Sequence, residues 1–244
     1  MKVALFSTCI VDTLKPEIGF ATLTLLEAAG CEVSVPTQSC CGQANFNNGD
    51  TKGARALALQ WLKVFEAYEY VVIPSGSCAA MLKIHGPSLF SDDEALQLRF
   101  KALTQRSYEL SAFLSEIACP VFEQEISTAT PASYHDSCSG LRDLYIKAQP
   151  RALLAASNTV ELTELSNAEA CCGFGGTFCV KHPEISCRLA DDKIATLEAA
   201  DTRMLIGGDW GCLMHLKGRI DALNKPIDVK HFSEVLASAI KGAH

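Results

Sequence analysis

An α/β fold written twice is what three features of this sequence predict. Short apolar runs alternate with helical patterns, cysteines recur at matched places in two halves, and the residues flanking them recur as well. The expected architecture is two duplicated Rossmann-like βαβ halves with parallel sheets, related by pseudo-symmetry, over residues 1–125 and 126–244.

In the first half, Val3–Phe6 reads as a short apolar strand. Pro16 opens a helix through Leu23, Leu25 and Leu26 that stops at Gly30, since proline suits a first helical turn and glycine its end. Cys31–Val35 is a second strand. Leu57, Trp61, Val64 and Phe65 mark the apolar face of the next helix, and Val71–Ile73 is a third strand. Ala132–Tyr134, Thr159–Leu162 and Met204–Ile206 take the same places in the second half. The stretch from Ser91 to Pro131 is expected to hold a long helix and the join. Leu110, Phe113, Leu114 and Ile117 echo Phe232, Val235, Leu236 and Ile240, and Pro226–His244 reads as a closing strand and helix.

Net charge is −7 with no Lys/Arg-rich run, so nucleic acid is not an expected partner. No apolar stretch reaches the ~20 residues of a membrane span. The Val3–Val11 run is interrupted by Asp12 and Lys15, reads as a buried strand rather than a signal peptide, and places the protein in the cytoplasm. Twelve cysteines are many for such a compartment, where thiols stay reduced and a patterned set points to metal or redox chemistry.

The pattern is explicit. Cys9, Cys40-Cys41-Gly42 and Cys78 are answered by Cys138, Cys171-Cys172-Gly173 and Cys212, with gaps of 31 and 33 residues to the pair and 37 and 40 beyond it. Each of the eight follows an expected strand. The carboxyl ends of parallel strands share one edge, so four thiols converge in each half. Four thiolates suit a tetrahedral zinc or a cubane iron–sulfur cluster. The absence of close CxxC pairs, and a helix N-terminus expected beside each cysteine, favour iron–sulfur; zinc in one half stays open. Gly42 and Gly173 permit a turn at positive φ, close approach to the bound group, and N–H donation to its sulfurs.

Other residues have plainer readings. Cys31, Cys119, Cys179 and Cys187 are expected to pack. Cys179/His182 and Cys212/His215, spaced three apart, share a helix face with or without metal. His135 is expected to bond to backbone or cluster, with a role as general base as the alternative. Gly173-Phe174-Gly175-Gly176 lacks the spacing of a dinucleotide fingerprint. No catalytic residue is assigned, and no Arg cluster marks a carboxylate clamp.

At these cysteines the chain resembles the CCG cysteine-rich family, whose motif is Cys, Cys-Cys-Gly, then Cys-x-x-Cys, usually present twice. More narrowly it resembles the lactate utilisation protein A family in Thr8-Cys9-Ile10, Cys40-Cys41-Gly42-Gln43, Cys171-Cys172-Gly173-Phe174-Gly175-Gly176-Thr177 and Gly211-Cys212-Leu213. The resemblance implies an oxidoreductase subunit, inactive alone, that works with two redox partners (lactate utilisation proteins B and C) on a small 2-hydroxy acid, L-lactate. It departs at Ser75-Gly-Ser-Cys78 and Asp209-Trp-Gly-Cys212, where the first motif cysteine is missing. The five-cysteine non-cubane cluster of heterodisulfide reductase is therefore not carried over, and one [4Fe–4S] cluster per half is the expectation. Ser75 and Asp209 remain candidates for an oxygen ligand or hydrogen bond. Two alternatives stand beside the relay: a zinc-stabilised scaffold, and a cluster-dependent thiol–disulfide reductase.

Overall fold

The computed structural model describes residues 1–122 and 129–240. The chain divides into two compact units, Met1–Pro120 and Val121–His244. The boundary expected between residues 125 and 126 lies outside the described residues, as do positions 241–244 of the closing segment.

Each unit carries one four-stranded sheet in which every pairing is parallel. In the first, β1 (Lys2–Leu5), β2 (Glu32–Ser34), β3 (Tyr70–Ile73) and β4 (Ser107–Glu109) lie in the order β2-β1-β3-β4. In the second, β5 (Thr130–His135), β6 (Val160–Leu162), β7 (Met204–Gly207) and β8 (Asp228–His231) lie in the order β6-β5-β7-β8. The central strands were legible because both of their faces are covered: Val3, Ala4 and Leu5 are at most 2% exposed and Val71, Val72 and Ile73 are fully buried.

Local chemistry sets the helix limits. Pro16 opens Pro16–Ala28, and Gly30 follows it at φ +78°. Asp50 accepts from the Gly53 N–H at 2.9 Å to start Thr51–Phe65, whose buried stripe is Ala54, Ala58, Trp61, Leu62 and Phe65. Leu57 and Val64, expected on that face, sit at its half-exposed margin.

The segment before the join, expected to hold a long helix, holds the helix Glu94–Gln105 and a helix from Leu110; the strand β4 between them was not expected. β4 is Ser-Tyr-Glu, without an apolar run. Its ends are buried because their polar atoms are used: Ser107 Oγ donates to the Leu103 carbonyl, and Glu109 accepts from the N–H groups of Ser111 and Ala112. His231 performs the same cap at the end of β8, accepting from the Ser233 N–H.

In both sheets the chain leaves the central strand, adds a neighbour on one side, and returns on the other. β1/β3 and β5/β7 are therefore topological switch points, where the loops beyond the carboxyl ends diverge and leave a crevice.

Candidate metal centres

The sequence-selected cysteines lie around these two crevices. Cys9 is the first residue of helix Cys9–Leu14 after β1, and Cys78 stands in the first turn of Gly76–Ala80 after β3. Cys40 and Cys41 come from the loop after β2. In the second unit Cys138 opens Cys138–Leu144, Cys212 stands in the first turn of Trp210–Ala222, and Cys171–Cys172 lie in the loop after β6. A helix N-terminus thus adjoins six of the eight. After Cys171–Cys172 the next helix begins only at Thr177. All twelve cysteines are free thiols.

The four thiols of each half form a row that runs inward from the surface. Cys9 is exposed, Cys40 half-buried, and Cys41 and Cys78 buried. Cys9 Sγ lies 3.5 Å from Cys40 Sγ, and Cys41 Sγ lies 3.1 Å from Cys78 Sγ. Contact between Cys40 and Cys41 joins the pairs. Cys138, Cys171, Cys172 and Cys212 repeat the row, with Cys138 and Cys171 half-buried and the other two buried.

One member of each row is favoured as thiolate. Hydrogen bonds from Cys41 and then Cys9 pull Cys40 well below the ordinary thiol value, and Cys138 and Cys172 do the same to Cys171. Their partners move up. Contact with Cys40, then burial, raises Cys9, and contact with Cys40 and Cys78 raises Cys41. Contact with Cys171, then burial, raises Cys138, and contact with Cys171 and Cys212 raises Cys172. At Cys212 the contact with Cys172 favours the anion, but burial and Asp209 outweigh it.

Gly42 and Gly173 adopt φ +87° and +91°, as a turn at that place requires. Their N–H groups donate to Cys40 Sγ and Cys171 Sγ at 3.4 Å, and the Phe174 N–H reaches Cys172 Sγ at the same distance. The close approach of these glycines is to a helix. A Cβ on Gly173 would meet the Ser186 carbonyl at 2.5 Å, and one on Gly42 the Ala54 carbonyl at 3.3 Å.

Ser75 and Asp209 cap the helices that carry Cys78 and Cys212. Ser75 Oγ accepts from the Cys78 N–H at 3.3 Å, and Asp209 from the Gly211 N–H at 3.1 Å. His215 lies one turn beyond Cys212 and meets Ser186 Oγ at 3.1 Å. Cys179 and His182 do not share a helix face, because the helix ends at Lys181; Cys179 donates to the Gly176 carbonyl at 3.0 Å. Cys31 is buried as expected, whereas Cys119 is exposed in a left-handed conformation that ends its helix.

His135 is 1% exposed at the carboxyl end of β5. Neither ring nitrogen meets a hydrogen-bond partner, although the Ala168 backbone is near enough to favour the charged form slightly. A buried polar group left unmatched costs about 1–3 kcal/mol. Burial, then the Lys193 ammonium, push the imidazole down to about 3. Its ligating atom and the Sγ atoms of Cys172 and Cys212 all lie within 4.8 Å of one another. Among the described residues this is the one group of three or more metal-ligating side chains so close together.

Around His135 the loops are pinned by charge. Asp136, whose side chain is 1% exposed, receives both Arg151 Nη atoms at 2.8 and 2.9 Å. The fully buried Lys193 donates to the carbonyls of Asn167 and Ala168, just before Cys171. Sequence reasoning named neither Arg151 nor Lys193, since no local spacing links them to the cysteines.

The donor sets fit a soft metal centre. They are thiol-rich and screened from water at their inner ends, and hydrogen-bond donors already point at sulfur. Two parallel-sheet units, each gathering four thiols at a topological switch point, define a duplicated cysteine-rich protein. The CCG cysteine-rich domain model matches residues 3–83 and 132–217, and the chain belongs to that family. It is 44% identical over 239 residues to Lactate utilization protein A of Bacillus pumilus, an alignment covering 98% of this chain and 100% of that protein. It is 45% identical over 237 residues to the protein of that name from Geobacillus kaustophilus (97% and 98% covered), and 43% identical over 239 to that from Bacillus licheniformis (98% and 100%). Among the described residues no helix is long and apolar enough to cross a membrane.

Proposed function

We propose that this protein is the iron–sulfur electron-transfer subunit of a cytoplasmic complex that oxidises L-lactate to pyruvate. The name borne by its relatives supports the substrate. The observation that carries the redox reading is the pair of four-thiol rows at equivalent switch points.

Cys9, Cys40, Cys41 and Cys78 would hold one cluster, and Cys138, Cys171, Cys172 and Cys212 the other. Such a cluster, expected as [4Fe–4S], supplies one-electron exchange when bound. The chain does the rest. Buried Cys41, Cys78, Cys172 and Cys212 keep water from the inner edge of each row. The N–H groups of Gly42, Gly173 and Phe174 stabilise negative charge on sulfur and so raise the potential. Exposed Cys9 leaves the outer edge of its row open to a partner redox subunit.

A zinc-stabilised scaffold is the second reading. Thiolates on one tetrahedral zinc at about 2.3 Å stand about 3.8 Å apart, close to the 3.5 and 3.1 Å between Cys9 and Cys40 and between Cys41 and Cys78. It predicts a colourless protein with zinc and no sulfide.

The test is anaerobic addition of L-lactate to the chain purified with its partner subunits. Bleaching of the visible sulfur-to-iron absorption by L-lactate, and loss of that response in Cys41→Ser and Cys172→Ser, is the expected result. Turnover of lactate by the partners at full rate without this chain would overturn the proposal.

A further inference from the structure

The two thiol rows differ at one position. Three residues before its first cysteine, the first half has Phe6 and the second has His135. Phe6 is 1% exposed and packs edge-on against Phe65 with ring centroids 5.5 Å apart. The fold therefore fills this place with hydrocarbon when nothing further is asked of it. In the second half the place holds an imidazole that is as deeply buried, makes no hydrogen bond of full geometry on either nitrogen, with only the Ala168 backbone nearby, and stands within 4.8 Å of two row thiols.

We propose that His135 is a direct ligand of the second-half centre, which makes that centre a mixed thiolate–imidazole site while the first half is all-thiolate. The inference rests on the reading of the rows as metal centres and not on which metal they hold. The three donor atoms lie close enough together, within 4.8 Å of one another, to serve one centre. Cys172, Cys212 and His135 come from the loop after β6, the helix after β7 and the end of β5, and only the side-by-side pairing of β5 and β7, with His135 opposite Gly207, brings them together. Gly207 keeps this pairing close: a Cβ there would press on Leu213 Cδ2 at 3.1 Å and touch the His135 carbonyl at 3.4 Å.

The chemistry has a direction. A neutral imidazole in place of, or beside, thiolates reduces the negative charge that the ligands place on the metal, and in iron–sulfur centres histidine ligation raises the potential. If both centres hold iron, the second is then the higher-potential one.

X-ray absorption at the edge of whichever metal is found, iron or zinc, tests this on the full-length chain. In Cys41→Ser, which keeps the second row intact, the expected result is the outer-shell scattering of an imidazole ring. In Cys172→Ser that scattering is absent, and in His135→Phe, which copies the first half, it is lost. Should His135→Phe fail to fold, His135→Gln replaces it. Wild-type protein labelled with 15N-histidine gives an independent reading, since pulsed EPR of the reduced iron form, or of a cobalt-substituted zinc form, then reports a directly bonded nitrogen. Sulfur-only ligation in fully loaded Cys41→Ser, with no nitrogen coupling in the labelled wild type, would overturn the inference. Zinc with imidazole scattering would overturn the electron-transfer reading and leave His135 as a ligand; failure of the wild type to bind any metal would overturn both.

Discussion

Removal of the Arg151 guanidinium should destabilise the second unit severely, because it strands a buried carboxylate. Asp136 has a side chain only 1% exposed and is held by both Arg151 Nη atoms at 2.8 and 2.9 Å. Arg151→Met leaves that buried charge without its bidentate partner and facing only the more distant ammonium groups of Lys193 and Lys147; removing one partner of a buried ion pair typically costs about 3–5 kcal/mol. The guanidinium also lies over the Tyr134 ring, 5.2 Å from its centroid, which adds about 0.5–1 kcal/mol. The partner on the outer side behaves differently. Glu164 pairs with the same Arg151 at 2.5 and 2.9 Å, but its side chain is 58% exposed, so Glu164→Gln should cost below about 1 kcal/mol. Each unit contains one of the two tryptophans, Trp61 and Trp210. In a Trp61→Phe background, urea unfolding followed by fluorescence therefore reports the second unit alone. Arg151→Met should move the transition by several kcal/mol, Glu164→Gln barely, and Asp136→Asn combined with Arg151→Met should recover part of the loss, since the stranded charge is gone. Equal costs for Arg151→Met and Glu164→Gln would refute the reasoning.

The paired glycines should tolerate alanine unequally. Both would carry a side chain at positive φ, at about 1–2 kcal/mol, but Gly173→Ala also drives a Cβ to within 2.5 Å of backbone whereas Gly42→Ala meets it at 3.3 Å. Gly173→Ala should therefore lose more stability and more metal than Gly42→Ala, as read by melting and metal analysis; the reverse order would contradict the helix contact. Acid should unfold the second unit of the metal-free protein before the first. Burial holds His135 and His231 down to about 3, while an unfolded histidine takes its proton near 6.5. The unfolded chain thus binds more protons between about pH 3 and 6.5, and the stability present above about 6.5 drains away as pH falls through that window. Trp61 and Trp210 fluorescence, each in the other's Trp→Phe background, reads the order; a second unit that outlasts the first would contradict it.

The sequence made the sheet cores and the thiol rows readable for one physical reason: both are patterns that repeat. β1, β3 and β7 are covered on both faces and so appear as apolar runs; β5, Thr-Pro-Ala-Ser-Tyr-His, is no such run and was placed by its position in the repeat, and the eight cysteines sit at matched spacings. β4 escaped because its burial depends on the polar partners of Ser107 and Glu109 rather than on hydrophobicity. Cys119 was read as packed because cysteine usually is; its exposed, left-handed place depends on where a helix happens to end. Around the site, Arg151 and Lys193 were invisible because their partners lie 15 to 26 residues away along the chain. His135 could be weighed beside Cys138, but its closeness to Cys172 and Cys212 exists only once β5 and β7 lie side by side.

The claim that both rows are redox centres is tested most directly by iron and acid-labile sulfide analysis of anaerobically purified protein, with an EPR spectrum after dithionite reduction. The account predicts about eight irons and eight sulfides per chain for two four-iron clusters, a reducible signal, and half the iron in Cys41→Ser or Cys172→Ser. Zinc without sulfide, persisting after cluster reconstitution, would contradict it.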